Sequence, residues 1–392
     1  MNKVFYVMKF VNPLKKRVEN NLWILFIIFA YTIIFSTYTV IKHYTFKTWA
    51  WDLGIFVQSL SSTLQGKPFY YTVEMQTKHT TNFMSIHPSA IFFFILAIYA
   101  IYPHPETLLV LQSFILALGA LPIYWMARDQ FSDNRLALLP AILYLAYPPL
   151  HGVNCYDFHY EPFFSTFLLF ALYYLKKKAW FKGGIFLVLA MLVMEWVQVI
   201  TMFVGLYLIW IHRSEIISEL KNRRWKSPYI LVPTAIILSS LFILLSFLYI
   251  QKTLNPYHRP SDIIAITHTI LSPKKILHAL RHDLNIKLYY LLSIFGPLAF
   301  IPLLEPIELV PSTPFFVSIL LYTRKAQYQI GDQYPAFILP FVFSATIKAL
   351  SKINLSKPTL IKLMAVTTSI FVIMQSPLST FAIGIYPPYV FG

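Results

Sequence analysis

Long apolar runs alternate with short polar connectors from residue 22 to residue 375. The first run, 22–41, has the roughly 20 apolar residues needed to cross a bilayer. Lys9, Lys15, Lys16 and Arg17 precede it, which places the N-terminus in the cytoplasm by the positive-inside rule. The run reads as a signal anchor, since it is too long for a signal-peptide core and lacks a small-residue cleavage site. A polar stretch, 42–86, follows as a first external loop. Within it Leu53, Phe56, Val57, Leu60 and Leu64 recur on one side at helical spacing. They predict a helix from Asp52 lying along the membrane surface and ended by Gly66 and Pro68. The next run, 87–102, is short for a span. If it crossed, Arg128, Arg135, Lys176, Lys177, Lys178, Arg213, Lys221, Arg223, Arg224 and Lys226 would all face outward. The charge rule therefore favours a re-entrant or half-inserted segment.

Beyond this point the pattern is regular. Residues 106–127 run inward, 135–147 outward, and 148–160 form an external loop. Residues 162–175 return to the triplet Lys176, Lys177 and Lys178. Two short runs, 183–194 and 196–211, meet near the outer interface at Glu195. A cytoplasmic connector, 214–227, leads to the span 228–250. The second large external loop, 251–286, contains a surface helix over 274–284, whose Lys274, Lys275, Arg281 and His282 suit anionic headgroups. Runs 287–304 and 309–322 form a hairpin joined on the inside by Glu305 and Glu308. Segment 324–334 is external, and 335–350 and 359–375 are the last spans. The expectation is an all-α polytopic membrane protein, a single domain over 1–392 with about eleven spans, an outward C-terminus and no soluble domain.

Composition agrees: 57% of residues are hydrophobic and 12% charged, against about 25% charged in a soluble domain. The net charge of +16 admits nucleic-acid binding or cytoplasmic loops that favour anionic lipid. The bases sit between apolar runs, which selects the lipid bilayer and excludes nucleic acid as a partner. A single cysteine, Cys155, excludes an intrachain disulfide framework. No phosphate-binding loop, dinucleotide fingerprint, His-Glu-x-x-His or Gly-x-Ser-x-Gly motif occurs, so ATP-driven transport and hydrolase chemistry have no support.

Ionisable groups at the mouths of apolar segments are costly and therefore point to function. Asp52 is either the cap of its helix or a base or metal ligand. Asp157, His159 and Glu161 alternate, so an extended segment turns them to one side. With Asp52 they form a candidate site for magnesium, manganese or zinc. The plainer reading is a polar loop with Glu161 as a first-turn helix acid. His87, before Pro88, is either a helix-start histidine or a phosphate or sugar ligand. Glu195 either reaches the same external pocket or pairs with a base such as Arg259. Arg324, Lys325, Tyr328, Asp332 and Tyr334 share the last external loop. They are either solvated or close over a lipid phosphate, which arginine and lysine bind well.

Several stretches carry a family resemblance. They are 51–60, beginning Trp51-Asp52-Leu53-Gly54; His87-Pro88-Ser89-Ala90; the run 108–124; Tyr156-Asp157-Phe158-His159-Tyr160-Glu161; Met194-Glu195-Trp196; and 328–334 ahead of an apolar span. In this order and spacing the chain resembles the GT-C superfamily of membrane glycosyltransferases. More narrowly, it is similar to a prokaryotic group of polytopic proteins, the domain-of-unknown-function 2079 family. The resemblance implies a GT-C-like helix bundle in the plasma membrane with its active site outside. It implies transfer of a sugar from a polyprenyl-phosphate-linked donor to an acceptor, with Asp52 as base or metal ligand and His87 and Glu195 as auxiliary catalytic groups. The Asp157-x-His159 pair is similar to the second acidic motif of archaeal oligosaccharyltransferases, which binds a divalent metal with the first-loop acid. Two departures are plain. Asp52 stands alone where protein O-mannosyltransferases show Asp-Glu, and the soluble C-terminal domain of oligosaccharyltransferases is missing. Two other classes stay open: a flippase or transporter of lipid-linked saccharide, which the short pair over 183–211 would suit, and a non-catalytic scaffold for glycan assembly.

Overall fold

The computed structural model describes residues 2–48, 50–131, 133–255, 257, 262–353 and 357–381, without the side chains of 2–21, 50, 134–135, 262–265 and 357–358. Regular structure among them is helical, with one isolated antiparallel bridge between Tyr70 and Asn82. The chain begins with α1 (Asn2–Tyr44), whose portion Leu22–Tyr44 is apolar and long enough to cross a membrane. One stripe of it, Ile24, Ile28, Tyr31, Phe35, Thr39 and Lys42, is buried. Those positions recur at three- and four-residue steps, which is one helix face.

Next come α2 (Ala50–Leu64), the one-turn α3 (Met75–Lys78) and α4 (Ile91–Tyr99). The helix expected from Asp52 forms, and Gly66 ends it at φ +81°, a conformation natural to glycine. Its apolar face packs on the protein core: Leu53, Phe56 and Leu60 are buried there. At nine residues α4 has under half the length a span needs.

Helices α5 (Pro105–Leu118) and α6 (Ala120–Gln130) together make one apolar stretch long enough to span. They are separated at Gly119, where an added Cβ would lie 2.5 Å from the Tyr144 hydroxyl. That hydroxyl donates to the Leu116 carbonyl at 3.0 Å, which also accepts the Gly119 N–H at 3.1 Å. Helix α7 (Asn134–Leu145) bends by 42° into α8 (Pro148–Cys155). The external loop expected over 148–160 is therefore mostly helix, and every residue of α8 is buried. Gly152 permits this: a Cβ there would lie 1.8 Å from the Ile330 carbonyl oxygen.

The central helix α9 (Glu161–Lys176) packs against α10 (Trp180–Met191) and α5. Then follow α11 (Val197–Ile211), α12 (Arg213–Lys221), α13 (Pro228–Leu254), α14 (Asp262–Ile270), α15 (Pro273–Arg281) and α16 (Leu284–Phe295). The expected pair of runs, 287–304 and 309–322, is interrupted. After α16 the chain moves through tight turns at 296–298, 301–304 and 310–312, with α17 (Pro306–Leu309) between them and α18 (Thr313–Leu321) after. Pro297, Pro302, Pro306, Pro311 and Pro314 cause this, since each lacks the N–H that a continuous helix requires. Buried α19 (Leu339–Lys352) is followed by α20 (Lys357–Gln375), the last helix among the described residues. Among the described residues, three helices can cross a membrane by length and composition, or five if each bent pair counts as one.

Candidate functional site

One cavity of about 760 Å³ opens where α2, α9, the α10–α11 junction, the end of α13 and segment 324–334 converge. Its floor is built by the end of α8 and the loop into α9. The last carbonyls of a helix have no partner within it, and here two side chains from distant helices supply them. Lys42 Nζ donates to the carbonyls of Cys155 and Tyr156 at 2.8 and 3.2 Å and to Asp157 Oδ1 at 3.2 Å. The Gln112 amide nitrogen donates to the carbonyls of Val153, Asn154 and Asp157, and Gln112 Oε1 accepts the His159 N–H at 2.6 Å. The loop is thus fixed from beneath, with Asp157 facing Lys42 and His159 facing the cavity.

Above this floor His159 Nε2 lies 3.9 Å from Asp52 Oδ1, and the Tyr156 hydroxyl donates to Asp52 Oδ2 at 3.1 Å. Phe56 stands edge-on to the His159 ring. Asp52 in the first turn of α2 is also near the helix's positive end. Across the cavity His87 Nδ1 meets Glu195 Oε1 at 3.0 Å, and Gln251 Nε2 bridges Glu195 to the Ile86 carbonyl. Burial opposes charging of His87, and the Glu195 carboxylate, with Glu161 and Glu74 behind it, outweighs that and raises the imidazole to about 9. Burial pushes Glu161 upward, with His159 opposing. Asp332 is driven well above the carboxylate range by burial and by Asp52, with Arg324 opposing.

The residues singled out from sequence divide clearly. Asp52, His87, His159, Glu161, Glu195, Arg324, Asp332 and Tyr334 all line this cavity. Asp157 does not: its paired Lys42 holds it beneath the floor. The expected metal set of Asp52, Asp157, His159 and Glu161 is therefore not assembled, and no three His, Cys, Asp or Glu among the described residues form a group that could hold a metal ion. Alternation failed as a guide because Glu161 already belongs to α9, so the three residues do not share one extended strand. Tyr328 faces a smaller cavity on the other side of its segment and donates to Asp283 at 2.9 Å. Lys325 is exposed away from both cavities, and Arg259 lies outside the described residues.

Sequence reasoning missed Lys42, Gln112, Tyr156 and Gln251. Lys42 and Gln112 carried a usable signal, since each is a strongly polar residue in a membrane-length apolar helix. Gln251, near the end of membrane-length α13, carried the same signal, and Tyr156 carried none beyond its place in the 156–161 stretch.

Residues 42–386 match the family described as predicted membrane protein (DUF2079), and the chain belongs to that family. No curated protein and no solved structure matches the chain.

Proposed function

We propose that this DUF2079 member is a membrane glycosyltransferase of GT-C type. In this reading it takes a sugar from a polyprenyl-phosphate-linked donor and transfers it to an acceptor on the extracytoplasmic face. The multi-pass GT-C arrangement, the donor and the outward cavity all belong to the proposal. The observation that carries it is the Asp52 carboxylate, held by Tyr156 and 3.9 Å from His159, inside a large cavity lined with acids and aromatic rings. A pocket of several hundred Å³ with a few convergent polar groups is the usual form of a ligand site.

Asp52 is positioned to accept the acceptor's proton as its oxygen attacks the anomeric carbon. The bond from that carbon to the phosphate oxygen breaks, and the polyprenyl phosphate leaves with the electron pair. His87, kept as an imidazolium by Glu195, and Arg324 offer N–H donors to the departing phosphate. Because the expected metal ligands are not grouped, charge neutralisation in this mechanism is assigned to these cations. The gathering of ionisable groups around one cavity favours an enzyme over a transporter with a midplane site.

The test is transfer of labelled sugar from polyprenyl-phosphate donors in reconstituted vesicles. Asp52→Asn should lower turnover by about 10²–10⁴-fold, the usual contribution of a general base. Wild-type turnover in the Asn variant would remove Asp52 from the mechanism.

A further inference from the structure

Among the described residues that line the cavity, four carry a buried acceptor atom with no hydrogen-bond partner, Glu161 Oε2, Glu195 Oε2, Asp332 Oδ2 and Gln333 Oε1, and the His159 ring leaves Nδ1 without one. Three of their side chains are almost wholly buried, at 4%, 1% and 1% exposure for Glu161, Glu195 and Asp332. A buried acceptor left unpaired is costly, and more so when charged. Four around one cavity therefore mark the place of a donor-bearing ligand. One cation cannot serve them all, because no three carboxylate, imidazole or thiol groups among the described residues sit close enough to share one. They are dispersed, so their partners must be separate donors spread along an extended molecule.

The rest of the lining narrows the chemistry. Trp51, Tyr160, Trp196 and Tyr334 line the same cavity. A molecule with hydroxyls on its rim and C–H bonds on its faces, a pyranose, meets both needs. In the proposed mechanism His87 and Arg324 of this lining face the donor phosphate, and Lys78 is exposed, so none is left to pair with a carboxylate on the sugar.

We infer that the cavity's sugar subsite, formed by Glu161, Glu195, Asp332 and Gln333, takes an uncharged, hydroxyl-rich sugar and rejects sugars that carry a carboxylate, such as uronic and sialic acids. Within the glycosyl-transfer reading, on which its role in donor selection rests, this names the class of sugar transferred. A ligand carboxylate here would stand against the oxygens of Glu161 and Glu195, an unfavourable like-charge contact. The raised proton affinity of Asp332 adds one donor for a sugar hydroxyl oxygen and leaves the Glu195–His87 pair in place.

The test is saturation-transfer NMR on the full chain in nanodiscs free of sugar detergent. The probes are methyl α-D-mannopyranoside, methyl β-D-glucopyranoside and N-acetylglucosamine, against glucuronate and N-acetylneuraminate. At least one uncharged probe should bind, and both acids should bind at least about tenfold more weakly. The double variant Glu161→Gln, Asp332→Asn should narrow that gap. Acid probes binding as well as the uncharged ones, or no uncharged probe binding, would overturn the inference. The wild-type comparison stands even if the double variant does not fold. Binding without transfer from any polyprenyl-phosphate donor removes the glycosyltransferase reading and leaves the subsite. Efficient transfer of a glucuronyl group does the reverse.

Discussion

Asp157 and Lys42 show what a single pair does in this protein. Both side chains are almost completely buried, at 1% and 4% exposure. Removing one member of a buried ion pair strips the other of its compensation and costs about 3–5 kcal/mol. Lys42→Ala should therefore lower the thermal midpoint in a fixed detergent sharply, and it should do so by loosening the loop that aims His159. Lys42→Met with Asp157→Leu should recover part of the loss, since no isolated charge remains. A double variant worse than Lys42→Ala would mean that the ammonium acts mainly on the Cys155 and Tyr156 carbonyls. His87 gives a prediction in pH. The folded protein keeps its proton up to about 9, whereas the unfolded chain releases it near 6.5. The folded state thus binds more protons between these values, so the stabilisation is complete below pH 6.5 and is lost as pH rises through 9. Thermal midpoints recorded across this window should fall with rising pH in the wild type, and His87→Gln should flatten the fall. Asp52, His159 and Glu195 were legible in sequence because an acid or imidazole beside an apolar run has few cheap explanations. Asp157 was misread because its partner lies 115 positions away, and no local spacing encodes that.

At the scale of elements, the packing that sets the cavity wall depends on one glycine. Gly152 lets buried α8 touch the Ile330–Gly331 backbone, and Asp332 and Gln333 follow directly in the wall. A backbone contact of 1.8 Å to a new Cβ cannot be absorbed by a rotamer change. Gly152→Ala should cost about 1–3 kcal/mol as overpacking and should disturb the cavity wall as well as stability. A variant with unchanged melting and unchanged ligand binding would contradict this account. The other end of α9 is held by charge. Glu308, 3% exposed, receives Lys176 at 2.7 Å, Lys348 at 2.8 Å, Tyr207 at 2.8 Å and Ser344 at 2.7 Å. Glu305 pairs with Lys352, which is 60% exposed. Glu308→Ala should cost about 3 kcal/mol or more, since it strands two lysines, and Glu305→Ala should cost less, since Lys352 stays solvated without it, measured as midpoint shifts in the same detergent. Equal effects would show that the exposure of the Lys352 partner does not separate the two. Helices such as α9, α13 and α19 were legible from their apolar period. The turns after α16 were signalled by prolines yet read as two continuous runs, because hydropathy alone does not register a missing N–H. The burial of α8 depends on Gly152 and Ile330, whose proximity arises only in the fold.

For the whole molecule, the cavity and the lysine-rich end lie at opposite ends of the same helices. Central α9 starts at the cavity with Glu161 and ends at Lys176 on Glu308, a rise of roughly 22 Å at 1.5 Å per residue. Membrane-length α13 repeats the arrangement. Tyr229 near its start accepts from Lys178, and Gln251 near its end touches Glu195 in the cavity. Lys177–Asp129 and Lys178–Glu215 ion pairs gather the ends of α6, α9 and α12 at the basic end. Basic residues concentrate on the cytoplasmic side of membrane proteins, so this polarity supports the proposed outward cavity. Cysteine reporters test it, with Cys155 as a buried and quiet background. In intact cells Lys78→Cys, exposed at the cavity, should react with a membrane-impermeant maleimide, while Lys178→Cys should react only after permeabilisation. The reverse pattern would turn the cavity to the cytoplasm and sink the extracytoplasmic acceptor, while leaving the chemistry around Asp52 and the sugar subsite to be judged on their own tests.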